Sequence, residues 1–356
     1  MPTDLYEAHL QWAKRPPDER FPDLETILEF TGKRKHNASE EVRPLKGTRL
    51  YASRGGALNL NGRSPQALLT NWSFSQLCQR VGAPAGYLRT LPAEMTAQCL
   101  EHGLTMATGE CKVLMRHSDQ PGKECPMNLA SAFTSPTYGR IWDYDVLTEL
   151  LEAISNSGWH TPPYAYDEYS GLYASDRDMF IFLINDEEPI EVEESRLSRG
   201  FFCWNSETGA ATFGLTTFLY NHICGNHIVW GAEQIEELRI IHRNRALDRF
   251  YKEAIPAINR FIENRALNDK IKDSVALAHK QVIGGSLDDI LRWSKSQPFS
   301  RPEITQAWHQ GMTDAGNGMS LWGMVQGLTA VARNYLHADK RVDLERRAGA
   351  LLRRAA

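Results

Sequence analysis

The residues best suited to bind a metal lie in an aromatic stretch near the middle of the chain. His222, Cys224 and His227 follow each other closely, with Cys203 upstream and His242 downstream. Imidazole and thiolate groups are the ligands that zinc prefers. On a strand, His222 and Cys224 would share one face, and a following turn could return His227 to them. The spacing is not that of a standard zinc finger, so core packing is the stronger interpretation and we predict no cofactor.

A polar segment just upstream is a second candidate. The run Asn205–Gly209 separates two apolar stretches. Asn205, Ser206 and Thr208 offer side chains that could contact a phosphate or another ligand, and Gly209 gives the backbone the freedom that a tight turn needs. A plain hairpin turn is the alternative interpretation, and the residue types alone leave both open.

The third candidate is a cluster of cations. Five of them fall within eleven residues: Arg239, His242, Arg243, Arg245 and Arg249. The pattern predicts that they lie on a helix, where residues three and four apart share a face. Forked guanidinium groups suit phosphate contacts, and nearby aromatic rings could stack on bases. The alternative is an ordinary solvated helix face whose arginines pair with neighbouring acidic residues.

Other signatures of chemistry are missing from the sequence. It contains no GxxxxGK[ST] phosphate loop, no GxGxxG after a predicted strand, no GxSxG and no HExxH. We therefore assign no catalytic residue and lean toward a protein that is not an enzyme.

Composition and charge narrow the class of protein. The 356 residues are 42% hydrophobic and 24% charged, which is typical of a globular protein. No apolar run approaches the roughly 20 residues that span a bilayer, so we expect a cytoplasmic protein without a membrane partner. Residues 239–356 carry 20 Lys and Arg against 12 Asp and Glu, a net +8, whereas residues 1–238 carry 20 against 32, a net −12. This asymmetry indicates either an anionic partner for the basic part or attraction between the two parts.

The order of predicted helices and strands around these residues indicates an α+β fold. We expect a mostly antiparallel sheet over about residues 110–231, packed against N-terminal helices and a long-helix C-terminal region. Three regions follow: a flexible arm over 1–48, a sheet-containing core over 49–231, and a helical region over 232–356 that packs on the core.

Some elements are predicted in more detail. Residues 49–62 read as a β-hairpin around Gly55 and Gly56. The apolar spacing over residues 143–156 predicts a helix. The uncharged run MFIFLI at 179–184 predicts a strand buried on both faces. The acidic run at 186–195 predicts a solvated loop.

Several motifs together resemble a known family. These are TNWSFSQLCQRVGAPAGYLRTLP, YGRIWDYD, FFCWNSETGAATFGLTTFLYNHICGNHIVWG, RIIHRNR and NGMSLWGMVQGLTAVARNY with DLERRAGALLRR. In this order they resemble the phage- and plasmid-like family classed as domain of unknown function 932, over about residues 50–355. The chain departs from the family at Gly225-Asn226, where the family often has Asn-Gly.

The resemblance implies a protein of mobile elements, without a settled activity. Combined with the charge asymmetry, it favours a non-enzymatic protein that binds nucleic acid, with single-stranded DNA preferred. Annealing of single strands during recombination, by a homo-oligomer, is the form that phage annealing proteins suggest by analogy. Two alternatives stay open: a metal-dependent enzyme acting on nucleic acid or nucleotides, and a protein-interaction or host-defence-related module of a mobile element.

Overall fold

The structure is a computed structural model, and it confirms the prediction of an α+β fold. It describes residues 12–53, 56–61, 67–118, 127–155, 157–163, 171–222, 226–228, 238–263, 268–314 and 320–355.

The strands of the described residues are numbered in chain order. They are β1 (Glu19–Phe21), β2 (Ala38–Pro44), β3 (Arg49–Ala52), β4 (Leu58–Asn61), β5 (Ala67–Leu69), β6 (Glu110–Ser118), β7 (Met127–Thr134), β8 (Trp159–His160), β9 (Leu172–Ala174), β10 (Met179–Val192), β11 (Ser195–Asn205), β12 (Phe213–Asn221), β13 (Asn226–Ile228) and β14 (Leu238–Ile240).

The helices are numbered in the same way. They are α1 (Leu24–His36), α2 (Asn71–Arg80), α3 (Ala85–Leu88), α4 (Ala93–Met106), α5 (Asp143–Ile154), α6 (Ala246–Arg249), α7 (Ile255–Glu263), α8 (Asn268–Lys280), α9 (Leu287–Trp293), α10 (Arg301–Asp314), α11 (Leu321–Arg333) and α12 (Ala338–Ala355). A π-helical turn, Phe250–Ala254, joins α6 to α7.

The larger sheet has the order β1-β9-β10-β11-β12-β13, and every pair in it is antiparallel. β8 pairs with β10, and β14 pairs with β12. Its central strands are buried on both faces, because one face packs against α1, α5 and α7 and the other against α12. The prediction of a doubly buried strand at 179–184 is confirmed, since all six residues are buried.

The smaller sheet has the order β2-β6-β7-β5-β4-β3. Only its β5–β7 pair is parallel, and the helices α2, α3 and α4 cover it with apolar side chains such as Phe74 and Leu100. The hairpin predicted over 49–62 is confirmed as β3 and β4. Residues 110–134 supply β6 and β7 to this second sheet, so the strands predicted to form one sheet divide between two.

The residues predicted to form a flexible arm are integrated into both sheets over 12–48. β1 pairs with β9, β2 pairs with β6, and Ile27 of α1 is fully buried. The segment before β1 also meets the other end of the chain. Asp18 accepts a hydrogen bond from the backbone N–H of Ala338 (2.6 Å) at the start of α12, and Arg15 bonds Asp339 (2.8 Å). The many prolines and charges of this region thus pack as short elements, where the sequence pattern indicated a solvated linker.

Two further predictions have opposite outcomes. The helix expected over 143–156 is confirmed as α5. The prediction of a solvated loop over 186–195 is wrong, because β10 continues to Val192 and turns directly into β11. Ile190 and Val192 alternate with exposed glutamates and pack into the core of the C-terminal helices. A register shift between Asn185 and Ile190 marks a bulge in this strand.

The C-terminal helices are held together around α11. Residues 321–332 of this helix are all buried. Its Gly327 lies against the backbone of α10, where an added Cβ would come within 2.0 Å of the carbonyl oxygen of Ala307. The close approach of these two helices therefore requires a glycine at position 327. Among the described residues, no helix is long and apolar enough to cross a membrane.

The close approach of α10 and α11 leads to a first prediction. Gly327→Ala should lower the free energy of unfolding by about 1–3 kcal/mol, because the backbone of α10 must move away. Chemical denaturation followed by circular dichroism measures the change. Gly86→Ala is the matched control, since nothing lies within 4 Å of an added Cβ there. Equal effects of the two substitutions would contradict the packing argument.

Candidate nucleic-acid interface

An aromatic ring flanked by arginines lies at the end of β11. Trp204 packs across Gly214 of β12, where a Cβ would come within 2.0 Å of the indole ring. Arg239 of β14 is in register with Gly214, and its guanidinium carbon lies 6.0 Å from the centre of the Trp204 ring. Arg346 of α12 approaches the same ring at 5.7 Å. Two distant segments thus bring arginines to one place, within the range of cation–π attraction.

The segment after Arg239 is not the helix that the cation spacing predicted. Arg239 lies in β14, residues 241–245 form an irregular connection, and α6 begins only at Ala246. Asn244 has a φ of 50°, and its N–H donates to the carbonyl of Thr137 (2.7 Å). The tight contact with the neighbouring loop explains the difference, because left-handed backbone interrupts a helix.

The arginines of this segment differ in their partners. Arg239, Arg243, Arg245 and Arg249 are all exposed. Arg249 forms two hydrogen bonds with Glu253, at 2.8 and 2.9 Å. Within the described part of the chain, Arg243 and Arg245 form no ion pair, so their guanidinium groups keep their hydrogen-bonding capacity for a partner.

His242 belongs to the protein interior and is not a surface cation. It is only 5% exposed, and its ring stacks on Tyr138 with centroids 5.1 Å apart. Nδ1 lies 3.2 Å from the carbonyl oxygen of Gly139. Burial lowers the pKa of His242 to about 4, so the ring is neutral near pH 7. Its predicted role as a phosphate contact does not fit this position.

Two exposed apolar side chains lie close in sequence to the exposed arginines. Ile241 is 63% exposed and Tyr251 is 42% exposed. Both lie within a few residues of Arg243 and Arg249 in the chain. One of them, Tyr251, offers a ring of the kind on which unpaired bases stack, although the charges that act on it are the carboxylates of Asp145 and Glu149.

The polar turn after β11 is buried, which corrects its prediction as a ligand-contacting loop. Asn205, Ser206 and Thr208 are at most 1% exposed. The Asn205 amide donates to the carboxylate of Asp143 (2.7 Å), and the Ser206 and Thr208 hydroxyls both donate to the carbonyl of Arg177. These bonds hold the turn between the two sheets.

Glu207 occupies the centre of this turn and joins the sheets. Its carboxylate accepts a hydrogen bond from the N–H of Asp143 (2.8 Å), the first residue of α5, and pairs with Arg116 of β6. An anion at a helix N-terminus is favoured by the helix dipole. Burial lowers the pKa of Arg116 to about 10 and, with the charge of Glu207, raises the pKa of Asp143 well above its usual range. The Glu207 carboxylate therefore serves both the N-terminus of α5 and Arg116.

The metal candidates do not form a site in the described residues. Cys224 and the side chain of His227 lie outside them. His222 contacts the Ser198 hydroxyl (2.6 Å) and the Asp186 carboxylate (3.2 Å), and His160 reaches the other oxygen of Asp186 (3.2 Å). Among the described residues, no group of three or more His, Cys, Asp and Glu is arranged to hold a metal ion.

The Ser198, His222 and Asp186 cluster also lacks the geometry of a nucleophilic triad. Ser198 and Asp186 both approach Nε2 of His222, whereas a triad needs the carboxylate on the opposite ring nitrogen. Ser198 is fully buried as well. Sequence reasoning missed this cluster because its members come from three separate strands or strand ends, and no spacing along the chain indicates their contact.

The comparisons with known proteins return no relative. No model of a protein family matches the sequence, and neither a curated protein nor a solved structure is significantly similar to it. The resemblance to domain of unknown function 932 therefore stays a prediction.

The role of Glu207 leads to a second prediction. Glu207→Ala should lower the free energy of unfolding by about 3–5 kcal/mol, because it leaves the buried guanidinium of Arg116 without its anion. Glu253→Ala is the control, since its partner Arg249 is exposed, and an exposed pair contributes at most about 1 kcal/mol. Urea denaturation of both variants measures the two effects. A loss for Glu207→Ala no larger than the control's would show that the sheets are joined by other contacts.

The burial of His242 predicts a pH dependence. Its folded pKa of about 4 lies below its ordinary 6.5, so the unfolded chain binds the proton more readily and stability falls as the pH drops through that interval. Between pH 7 and pH 4 the wild type should lose about 3 kcal/mol more than His242→Gln. Denaturation at a series of pH values gives a stability profile for each protein. Subtracting one profile from the other removes the contribution of the carboxylates, which both proteins share. Parallel pH profiles would contradict a buried neutral His242.

Proposed function

We propose that this protein binds single-stranded nucleic acid, with DNA preferred, and does so without catalysing a reaction. The contact surface is formed by Arg239, Arg243, Arg245 and Arg346, and is called the basic surface below. The main support for the proposal is that the guanidinium groups of Arg239 and Arg346 both approach the ring of Trp204. Through this contact, the arginine-rich C-terminal helix adds to the charge of the segment after β14.

The form of the basic surface favours single strands over duplex. Arg239, Arg243 and Arg245 all precede α6 and Arg346 lies on a different helix, so no single helix could present the basic surface to a major groove. The arginines instead lie on a strand, an irregular connection and a helix, and Ile241 and Tyr251 are exposed within a few positions of them in the chain. Arginines that follow a backbone and a ring that stacks on bases suit sequence-tolerant binding of unpaired strands.

The basic surface also fits the distribution of charge in the sequence. The net +8 of residues 239–356 includes all four of its arginines. A cytoplasmic role in strand annealing during recombination of a mobile element, by an oligomer, is the specific form of this proposal.

Titration with labelled oligonucleotides tests the proposal. Fluorescence anisotropy with a dT oligonucleotide should give binding that weakens steeply as salt rises. The triple substitution Arg239→Gln, Arg243→Gln and Arg245→Gln should weaken binding by about tenfold or more. It should also reduce the salt slope by about 2, because each lost contact to a single strand contributes about 0.7.

A charge-matched control separates the basic surface from net charge. Arg292, Lys295 and Arg301 are exposed at the other helices of the C-terminal region. Changing all three to Gln removes the same charge and should leave the affinity within about twofold. Equal losses in both triple variants, or no binding by the wild type at low salt, would overturn the proposal.

A further inference from the structure

The exposed side of α4 carries a line of side chains that are ligands of soft metal ions. Met95, Cys99, His102 and Met106 follow each other at intervals of four, three and four residues. At 3.6 residues per turn, the four positions fall within about 60° of the helix circumference, so they form one stripe along the helix. These four residues are called the soft-ligand stripe below.

The soft-ligand stripe faces solvent. Met106 is 75% exposed and Met95 is 51% exposed, although large apolar side chains are usually buried. Cys99 and His102 are exposed as well. Among the described residues, none forms a hydrogen bond or ion pair with the Cys99 thiol or the His102 ring. The opposite side of α4 packs into the core of the smaller sheet, so the stripe contributes little to the packing of the helix.

The residue types of the stripe select a soft, monovalent metal ion. Thiolate and thioether sulfurs prefer Cu(I), and imidazole is also a copper ligand. Zinc binds thiolate, imidazole and carboxylate groups rather than thioethers. The stripe offers zinc only Cys99 and His102, which agrees with the finding that no three His, Cys, Asp and Glu of the described residues are arranged to hold a metal ion.

The spacing of the stripe lets one ion contact ligands from successive turns. Cys99 and His102 are neighbours on the helix surface, where Cβ atoms three residues apart are separated by about 5–6 Å. Met95 and Met106 lie one turn to either side of this pair. Their thioethers have three rotatable bonds and can turn toward an ion bound there. The Cys99 thiol releases its proton to water when it binds the ion.

The charges of α4 favour a bound cation. The helix contains Glu94 and Glu101 and no Lys or Arg. The stripe ends at the last residue of the helix, where the helix dipole is negative. Arg49 belongs to β3, which meets α4 on a different side, where Oε1 of Glu101 accepts a hydrogen bond from the N–H of Leu50 (3.0 Å). No positive side chain of α4 itself therefore opposes a metal ion.

We propose that the soft-ligand stripe binds one Cu(I) ion. Cys99 and His102 are its central ligands, and a thioether from a neighbouring turn, Met95 or Met106, is the third. None of these residues belongs to the basic surface, so the inference does not depend on the proposed function. Ag(I) has the same charge and similar ligand preferences, and it serves as a probe that is not oxidised by air.

Competition with bicinchoninate under anaerobic conditions measures Cu(I) binding by the full chain. The ion assigned to the stripe should bind about a hundredfold or more weakly in Cys99→Ser, because thiolate is the strongest of the ligands. The double substitution Met95→Leu and Met106→Leu should weaken binding by about tenfold, because it removes both thioethers and keeps the apolar surface. Zn²⁺ should bind the wild type and Cys99→Ser alike.

Methionine methyl resonances locate the ion. In protein labelled at these methyl groups, Ag(I) should shift the signals of Met95 and Met106 and leave the buried Met179 unchanged. Substitution of each methionine by leucine assigns its signal. Gln98→Ala is the matched control, since Gln98 is an exposed residue of α4 outside the stripe, and this variant should bind Cu(I) as the wild type does.

Equal Cu(I) binding by the wild type and Cys99→Ser would overturn the inference, because the remaining cysteines are common to both proteins. Silver-induced shifts confined to other methionines would do the same. Since the four side chains are exposed, each variant should unfold at the same urea concentration as the wild type, which shows that it is folded. Binding of dT by Cys99→Ser should match the wild type, which keeps a failure of this site separate from a failure of the basic surface.

Discussion

A single buried carboxylate joins the two halves of the fold. Glu207 belongs to the turn after β11 in the larger sheet, yet it binds Arg116 of the smaller sheet and the first N–H of α5. A charge removed from water is tolerated only when it is well partnered. The turn must therefore keep its place whenever the sheets are docked, and Gly209, with a φ of 82°, allows the chain to reverse there. Tyr138 adds a hydrogen bond to the carbonyl of Ser206 (2.8 Å).

The same contacts set the position of the basic surface. Tyr138 touches the buried turn with its hydroxyl and stacks its ring on His242. His242 lies between Ile241 and Arg243, so anchoring this ring directs its neighbours in the chain to solvent. The π-helical turn that follows α6 packs Phe250 against Phe213 of β12. The arginines are thus carried by a segment fixed at both ends, although none of their side chains is itself buried.

The sequence predicted the elements whose signal is local, and it missed the contacts made between distant residues. The apolar spacing of α5 and the uncharged run of β10 could be read directly, as could the hairpin of β3 and β4. The second sheet could not be predicted, because β2 and β6 are separated by more than sixty residues. In addition, β2 has only one large aliphatic side chain, Val42. In the acidic run after Asn185, charge obscured the alternation of Ile190 and Val192. For the site, composition indicated the arginines but not the burial of His242 or the convergence of Arg239 and Arg346, which depend on tertiary packing.

The hydrogen bond from Ala338 to Asp18 has a consequence for how the chain folds. It spans 320 positions, and it satisfies a backbone donor at the very start of the last helix. A growing polypeptide cannot make it until α12 has been synthesised. Contacts of such large separation slow folding, because the entropy of closing the loop must be overcome first. During synthesis, the segment before β1 must therefore wait for this partner. The docking of the segment before β1 on α12 is therefore expected to be a late step of folding.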